Sequence, residues 1–276
     1  MNASVIRLFQ QAVYAWVFGY ALLLLLLGKP AWSNAMVDAF PAHSLFAGLV
    51  PVIMRAITPT IGMAMCGMLM IGAAILLRKH SWYMALLVWL VFRLITHRTW
   101  LASNGGIQLM ENMLFWAALL SIGPGRLASP LGLAAFWIAR LQLVLVYAAA
   151  AAHKYTGTTW PDGSAVSIVA ADPAFHLHWL QRLPWICTAA TYAALAFMTL
   201  FPFAVWWHTS RRAILFVGVC FHLFTALFMG IPQMAFAFIA CYTLWLTENE
   251  VVAMRTFVRC WIVRTLGRLL PRATGR

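Results

Sequence analysis

The stretch PLGLAAFWIARLQLVLVYAAAAAHKYTGTTWPDG (residues 130–163) begins with an apolar run that continues to His153. An α-helix rises 1.5 Å per residue, so about 20 residues cross the roughly 30 Å hydrocarbon core of a bilayer. The run 130–153 is long enough for this. It predicts a transmembrane helix, with Lys154 and Trp160 at or just beyond its end.

The composition extends this prediction to the whole chain. Of 276 residues, 64% are hydrophobic and 9% are charged, whereas a soluble domain has roughly 45–50% apolar and about 25% charged residues. No polar segment is long enough to form a separate domain. We therefore expect an all-α, polytopic integral membrane helix bundle of one domain (1–250). About eight transmembrane helices are predicted, with seven as an alternative because some runs are short, at about 8–28, 57–77, 80–96, 106–123, 130–153, 184–207, 212–229 and 231–247.

The net charge of +13 is concentrated at the ends of apolar runs and in the last 22 residues. This distribution favours contact with an anionic membrane leaflet, not binding to nucleic acid. With eight spans, the basic residues Arg7, Arg78, Lys79, Arg126, Arg211 and Arg212 fall on the side of the C-terminal tail, so both termini are expected to be cytoplasmic. The tail (251–276) is expected to form a basic amphipathic helix on the inner surface.

Three polar residues of the fifth predicted span share one stripe. Arg140, Tyr147 and Lys154 are seven residues apart, and seven residues are close to two helical turns. The alanines at 148–152 allow neighbouring helices to approach closely. In a partly dry pocket an amine loses its proton more easily, so Lys154, beside His153, is a candidate base. Alternatively, Lys154 extends to the lipid headgroups as an anchor.

A second group of ionisable residues surrounds the fourth predicted span. Arg93 and His97 share a helix face and are followed at once by Arg98, so they either anchor the helix or hold an anionic or polar ligand. Glu111 is the only acidic residue within any predicted span. A buried carboxylate needs a proton or a cation, and Arg93, Arg98 and Lys154 are its candidate partners.

The histidines do not by themselves indicate a specific site. His222, within the seventh span, is either an interhelical hydrogen-bond partner or part of a proton relay. His176 and His178 are two residues apart, and no third ligand accompanies them, so no metal site is predicted. The sequence has no P-loop and no HExxH motif.

Three stretches carry a resemblance to a known family. They are HRTWLASNGGIQLMENMLFW (97–116), QLVLVYAAAAAHKYTGTTWPDGSAV (142–166) and TYAALAFMTLFPFAVWWHTSRRAILFVGVCFHLFTALFMGIPQMAF (191–236). Their order and spacing resemble the horizontally transferred transmembrane (HTTM) domain family, whose best-known member is vitamin K-dependent gamma-carboxylase. The resemblance covers most of residues 7–247. The chain departs from the family pattern at Ile107, where many relatives have an acidic residue.

The resemblance implies a function and a set of site residues. In the carboxylase, the matched lysine is taken to deprotonate reduced vitamin K, so Lys154 would be the base, with His153, Arg98, Asn104 and His222 lining an outward-facing site. A reduced quinone would be the cofactor. The other candidate binding residues are Arg93, His97, Glu111, Arg140, Tyr147 and Trp160.

Three functions stay open at this point. The first is a membrane enzyme acting with a quinol-like cofactor, on a peptide substrate or on the cofactor itself. The second is a non-catalytic membrane partner in the maturation, export or immunity of a secreted peptide, and the third is a lipid or quinone carrier. The expected location is a bacterial inner membrane. The oligomeric state is left open.

Overall fold

A computed structural model describes residues 3–27, 32, 49–122, 129–175 and 177–269. The described residues are helical without any strand, which confirms the all-α prediction. The helices are α1 (Ala3–Leu27), α2 (Leu49–Ala56), α3 (Pro59–Arg78), α4 (Trp82–Arg98), α5 (Gly105–Leu119), α6 (Pro130–Thr156), α7 (Ala165–Ala171), α8 (Pro184–Ala204), α9 (His208–Phe228), α10 (Pro232–Tyr242) and α11 (Glu248–Leu269).

Five of these helices, α1, α3, α6, α8 and α9, are long and apolar enough to cross a membrane. The chain is therefore a membrane protein. The other three predicted spans also contain helices, but α4, α5 and α10 have only 17, 15 and 11 residues. At 1.5 Å per residue these are about 26, 23 and 17 Å long, shorter than the hydrocarbon core. The predicted count of eight spans is not confirmed by helix length and composition.

Polar N-cap residues precede α3 and α6. Thr58 and Ser129 each stand directly before a proline, and their side chains accept hydrogen bonds from Ile61 N (3.3 Å) and Gly132 N (3.0 Å). A side-chain oxygen at this position satisfies a backbone N–H that the first helical turn leaves free. The following proline has no N–H to lose and has a backbone angle suited to a helix.

The loops differ from the prediction in three places. The expected outer loop 29–56 contains α2, and the expected loop 154–183 contains α7 and a 3₁₀ turn at His178–Arg182. Helix α9 begins at His208, so Arg211 lies in its first turn and not in the preceding loop. Short helices satisfy their own backbone groups, and apolar runs of 20 residues are not needed to form them. Arg126, His176 and the last residues of the tail (270–276) lie outside the described residues.

Helices α5 and α10 lie at the centre of the bundle. Helix α5 packs against α1, α4, α6 and α10, and α10 packs against α1, α5 and α9. Their close approach depends on Gly106, since a Cβ atom there would overlap the Cα of Met234 on α10. Of the eight helices that match predicted spans, the two shortest thus each pack against three or more of the others.

Glu250 joins the beginnings of α9 and α11. Its carboxylate accepts hydrogen bonds from Arg212 Nε (2.6 Å) and Thr247 N (2.7 Å), and Arg211 Nη2 is 3.5 Å away. Burial works to raise the pKa of Glu250, but the hydrogen bonds from Thr247 and Arg212 and the charge of Arg211 outweigh it and lower the pKa to about 2. The carboxylate therefore stabilises the junction in its ionised form.

Gly106→Ala is expected to destabilise the protein by about 1–3 kcal/mol, the usual cost of overpacking a tightly packed contact. The added methyl group meets the backbone of α10, which cannot rotate away. Thermal unfolding in detergent, followed by tryptophan fluorescence, measures this change. Gly105→Ala is the matched control, because no atom lies within 4 Å of the added Cβ there. Equal effects of the two substitutions would contradict this packing.

Glu250→Gln is expected to lower the unfolding temperature at neutral pH. Because the pKa of Glu250 is about 2 in the folded protein and 4.5 in the unfolded chain, its contribution is complete above pH 4.5 and is lost as the pH falls towards 2. The difference between wild type and Glu250→Gln should shrink over that range. A difference that is independent of pH would show that folding does not change this pKa.

Candidate functional site

Lys154 lies in the last turn of α6, at the end of the polar stripe. It is half-buried, and its Nζ lies 4.6 Å from the centroid of the Trp160 ring. An ammonium group over an indole face is a cation–π pair. His153, the residue before it, is exposed. The structure thus brings Lys154 and Trp160 together and turns His153 away from the protein interior.

Trp160 is positioned by a turn that packs on α8. Tyr192 of α8 donates a hydrogen bond from its Oη to the carbonyl of Pro161 (3.0 Å). Gly163 adopts a φ of 81°, and a Cβ atom there would lie 3.1 Å from the Tyr192 hydroxyl. Only glycine adopts this backbone angle without strain. The turn therefore has little freedom to move Trp160 away from the lysine.

No described carboxylate pairs with Lys154. Asp162, the nearest in sequence, accepts a hydrogen bond from Ser164 N (2.8 Å), and its hydrogen bonds with Ser164 lower its pKa. Glu111 forms an ion pair with Arg93. Arg93, Arg98 and Lys154 were the predicted candidate partners of Glu111. In the structure Arg93 forms the ion pair and Lys154 does not.

The Arg93–Glu111 pair lies between α4 and α5. Thr96 also donates a hydrogen bond from its Oγ1 to Glu111 Oε2 (3.1 Å). Glu111 is nearly buried, whereas Arg93 is partly exposed. His97, one turn after Arg93, is half-buried. The carboxylate is thus neutralised within the bundle, as a buried charge requires.

Arg98 and Asn104 hold backbone groups in place. Arg98 is fully buried, and its guanidinium donates to the carbonyls of Ile57 (3.2 Å) and Trp32 (2.6 Å). Asn104 Oδ1 accepts from Gly106 N (3.0 Å) and so caps α5. Both residues were expected to line the site. The structure shows them connecting segments at the end of the bundle where Lys154 lies.

The centre of the stripe is a buried hydrogen-bonded cluster. Tyr147 Oη lies 2.6 Å from His222 Nε2 and 2.5 Å from Tyr242 Oη. All three side chains are at most 4% exposed. His222 Nδ1 has no partner among the described residues. The cluster joins α6, α9 and α10 through a single hydroxyl group.

Tyr242 is the member of this cluster that the sequence did not reveal. It is one tyrosine in an apolar run, and only its neighbours in space distinguish it. A Cβ at Gly218 on α9 would overlap the Tyr242 hydroxyl. The Phe238 ring stacks on His222, with 4.6 Å between centroids. In the sequence, only Gly218 could have indicated that Tyr242 has a close neighbour. That inference requires knowing that α9 and α10 are adjacent.

Arg140 lies at the other end of the stripe, about 21 Å from Lys154 along α6 at 1.5 Å per residue. Its Nε and Nη2 donate to the carbonyl of Leu244, at 3.0 and 2.6 Å. The rings of Phe136, Trp137 and Trp245 surround its guanidinium. Tyr147 separates the two ends, so Arg140 and Lys154 do not form one pocket.

An open groove of about 490 Å³ lies between α1 and α10. Its walls include the stacked rings of Trp16 and Tyr20, whose centroids are 5.1 Å apart, and the exposed Phe236. Gln233, near the beginning of α10, is the polar residue of the wall besides Tyr20. The volume lies within the range of small-molecule sites. Lys154 does not line this groove.

Comparison of the chain with protein-family models, with curated proteins and with solved structures finds no match.

Tyr147→Phe is expected to destabilise the protein by about 1–3 kcal/mol, because it removes both hydrogen bonds of the cluster and leaves buried polar atoms unpaired. Tyr242→Phe removes one bond and should cost less. Unfolding temperatures in detergent compare the two variants. Tyr155→Phe is the control, since the Tyr155 hydroxyl bonds to Thr199 at the exposed surface. A cost for Tyr242→Phe equal to that for Tyr147→Phe would show that Tyr147 does not link the cluster.

Proposed function

We propose that this chain is a membrane enzyme of the HTTM, vitamin K-dependent carboxylase-like class, in which Lys154 acts as a base at the outer end of the bundle. Its cofactor is a reduced, quinone-like lipid-soluble molecule, and its substrate is that molecule or a secreted peptide. The chain lies in a bacterial inner membrane with membrane lipids as neighbours.

The unpaired amine of Lys154 carries this proposal. The described acidic groups nearby are engaged elsewhere, Glu111 by Arg93 and Asp162 by Ser164. A lysine held in an ion pair keeps its proton, whereas one half-buried without an anion releases it more readily. The geometry therefore favours a base over a structural ion pair.

Trp160 is positioned to stabilise Lys154 after it has accepted a proton. When Lys154 Nζ accepts a proton, the new ammonium lies over the indole face, which stabilises a cation by about 0.5–2 kcal/mol. The turn at 157–163 holds the ring there before the reaction. Trp160 is thus a positioning residue, and Lys154 is the residue that contacts the reacting hydroxyl.

The groove between α1 and α10 fits the apolar part of such a cofactor. It has aromatic walls, and its exposed Phe236 makes it reachable from the hydrocarbon. A reduced quinone supplies an ionisable hydroxyl and electrons for reaction with oxygen. The groove is formed by α1 and α10, whereas Lys154 is on α6. The hydroxyl group of the bound quinol must therefore extend from the groove towards α6.

The membrane placement belongs to the same proposal. Eight crossings, made by the five long helices together with α4, α5 and α10, would put both termini on one side of the membrane, and the basic residues at that side favour the cytoplasm. Helix α11 then lies on the inner surface, where its exposed apolar residues Met254, Phe257 and Val258, which share one face, contact lipid. Lys154 and Trp160 face the outer side.

Lys154→Met is expected to lower turnover of a reduced naphthoquinone by at least about 100-fold, the lower end of what a general base contributes. The protein is purified, placed in lipid nanodiscs and supplied with the reduced naphthoquinone, oxygen and bicarbonate. Products are identified by mass spectrometry. Lys154→Arg should fail equally, because arginine keeps its proton and cannot act as a base.

Lys79→Met is the matched control, since this exposed lysine follows α3 at the opposite end of the bundle. Full turnover by Lys154→Met would disprove the assignment of the base. Absence of any turnover by wild type, together with retained biological function of Lys154→Arg in cells, would favour the non-catalytic partner of a secreted peptide.

A further inference from the structure

A second cavity, of about 350 Å³, lies at the end of the bundle opposite Lys154. Its volume is roughly ten times that of a liquid water molecule. Part of its wall is accessible from outside, since Leu133, Trp137 and Glu248 are exposed. Its lining consists of Val5, Leu133, Phe136, Trp137, Arg140, Leu246, Thr247 and Glu248.

Arg140 contributes hydrogen-bond donors to this cavity that the described residues do not use. Of its five N–H groups, two donate to the carbonyl of Leu244. No described carboxylate forms an ion pair with Arg140. The faces of the guanidinium are covered by the rings of Phe136 and Trp245, at 4.3 and 4.8 Å. The other three N–H groups have no partner among the described residues.

Two further polar groups lie next to Arg140. Arg211, which also pairs with Glu250, lies close enough to act electrostatically on Arg140, and its buried Nε has no partner among the described residues. Trp245, which contacts Arg140, is 2% exposed, and its Nε1 also has no partner there. The lining itself holds one cation, Arg140, and one carboxylate, Glu248. Arg140 is half-buried and has no carboxylate partner among the described residues, so an anion beside its unused donors would be stabilised.

The lining also includes residues beside the beginnings of α1 and α11, together with exposed aromatic residues nearby. Val5 is in the first turn of α1, and Thr247 directly precedes α11. The ring of Trp137 stacks on that of Trp206, with centroids 6.2 Å apart, and both rings are exposed. Tryptophans of this kind concentrate at the height of lipid headgroups. The apolar side of the cavity, at Leu133 and Trp137, thus faces acyl chains.

We infer that this cavity binds the phosphate of a membrane phospholipid, with Arg140 as its principal donor and an acyl chain along Leu133 and Trp137. Phosphate matches the planar donors of a guanidinium. The lipid connects α1, α6 and α11 to the membrane surface at this end of the bundle, which is the inner leaflet in the orientation proposed above. This site is independent of any chemistry at Lys154.

Native mass spectrometry of the delipidated protein tests this inference with three probes. Phosphatidylglycerol supplies phosphate and chains, diacylglycerol supplies chains alone, and inorganic phosphate supplies the anion alone. Wild type is expected to bind one phosphatidylglycerol tightly and the other two probes at least tenfold more weakly. Arg140→Gln should weaken phosphatidylglycerol binding by tenfold or more.

Arg78→Gln is the matched control, since Arg78 is exposed at the same end of the bundle and does not line the cavity. Leu133→Trp fills the apolar side while keeping Arg140, so it also should lose the lipid, even if Arg140→Gln fails to fold. Equal binding of phosphatidylglycerol by wild type and by the folded cavity variants would overturn the inference. Equal affinity for inorganic phosphate would reduce the site to a simple anion site, and equal affinity for diacylglycerol would exclude a role of phosphate.

Discussion

The need to satisfy every polar group inside a low-dielectric bundle determines most of this structure. Hydrocarbon offers no hydrogen bonds, so the backbone forms helices, and each ionisable side chain must find its partner within the protein. Three arginines do so in three ways. Arg93 pairs with a carboxylate, Arg98 donates to two carbonyls, and Arg140 combines one carbonyl with aromatic rings. Lys154 differs from them because the described residues offer it only the face of Trp160.

Close helix contacts explain how α5 and α10, two of the shorter helices, pack among the longer ones. Gly106 lets α5 approach the backbone of α10, and Gly218 gives space to the Tyr242 hydroxyl. A bundle without a hydrophobic driving force between its helices relies on packing of this kind and on interhelical hydrogen bonds. The Tyr147 cluster provides such bonds at the point where α6, α9 and α10 meet. The same few residues thus allow close helix packing and provide hydrogen-bond partners for the buried polar groups.

The polar stripe of α6 has different chemistry at its two ends. Lys154, in the last turn of the helix, is an amine without a described carboxylate partner beside the ring of Trp160, whereas Arg140, ten residues after the helix begins, has unused donors next to an open cavity. The buried cluster at Tyr147 separates them by about 10 Å on either side, given 1.5 Å per residue. The two proposals therefore concern distinct sites, and one can fail without the other.

The motif Asn104–Gly105–Gly106 shows the limit of carrying residue roles over from a resemblance. In this chain Asn104 caps α5 and Gly106 permits helix contact, so local folding alone explains both. The sequence determined the all-helical class, the positions of the five long apolar helices and the stripe Arg140–Tyr147–Lys154, because run length and helical periodicity are local properties. Only the tertiary structure decided that Glu111 pairs with Arg93, that Tyr242 joins Tyr147 and His222, and that Arg140 and Lys154 belong to different sites. Partner choice depends on which helices are neighbours, and no local pattern contains that information.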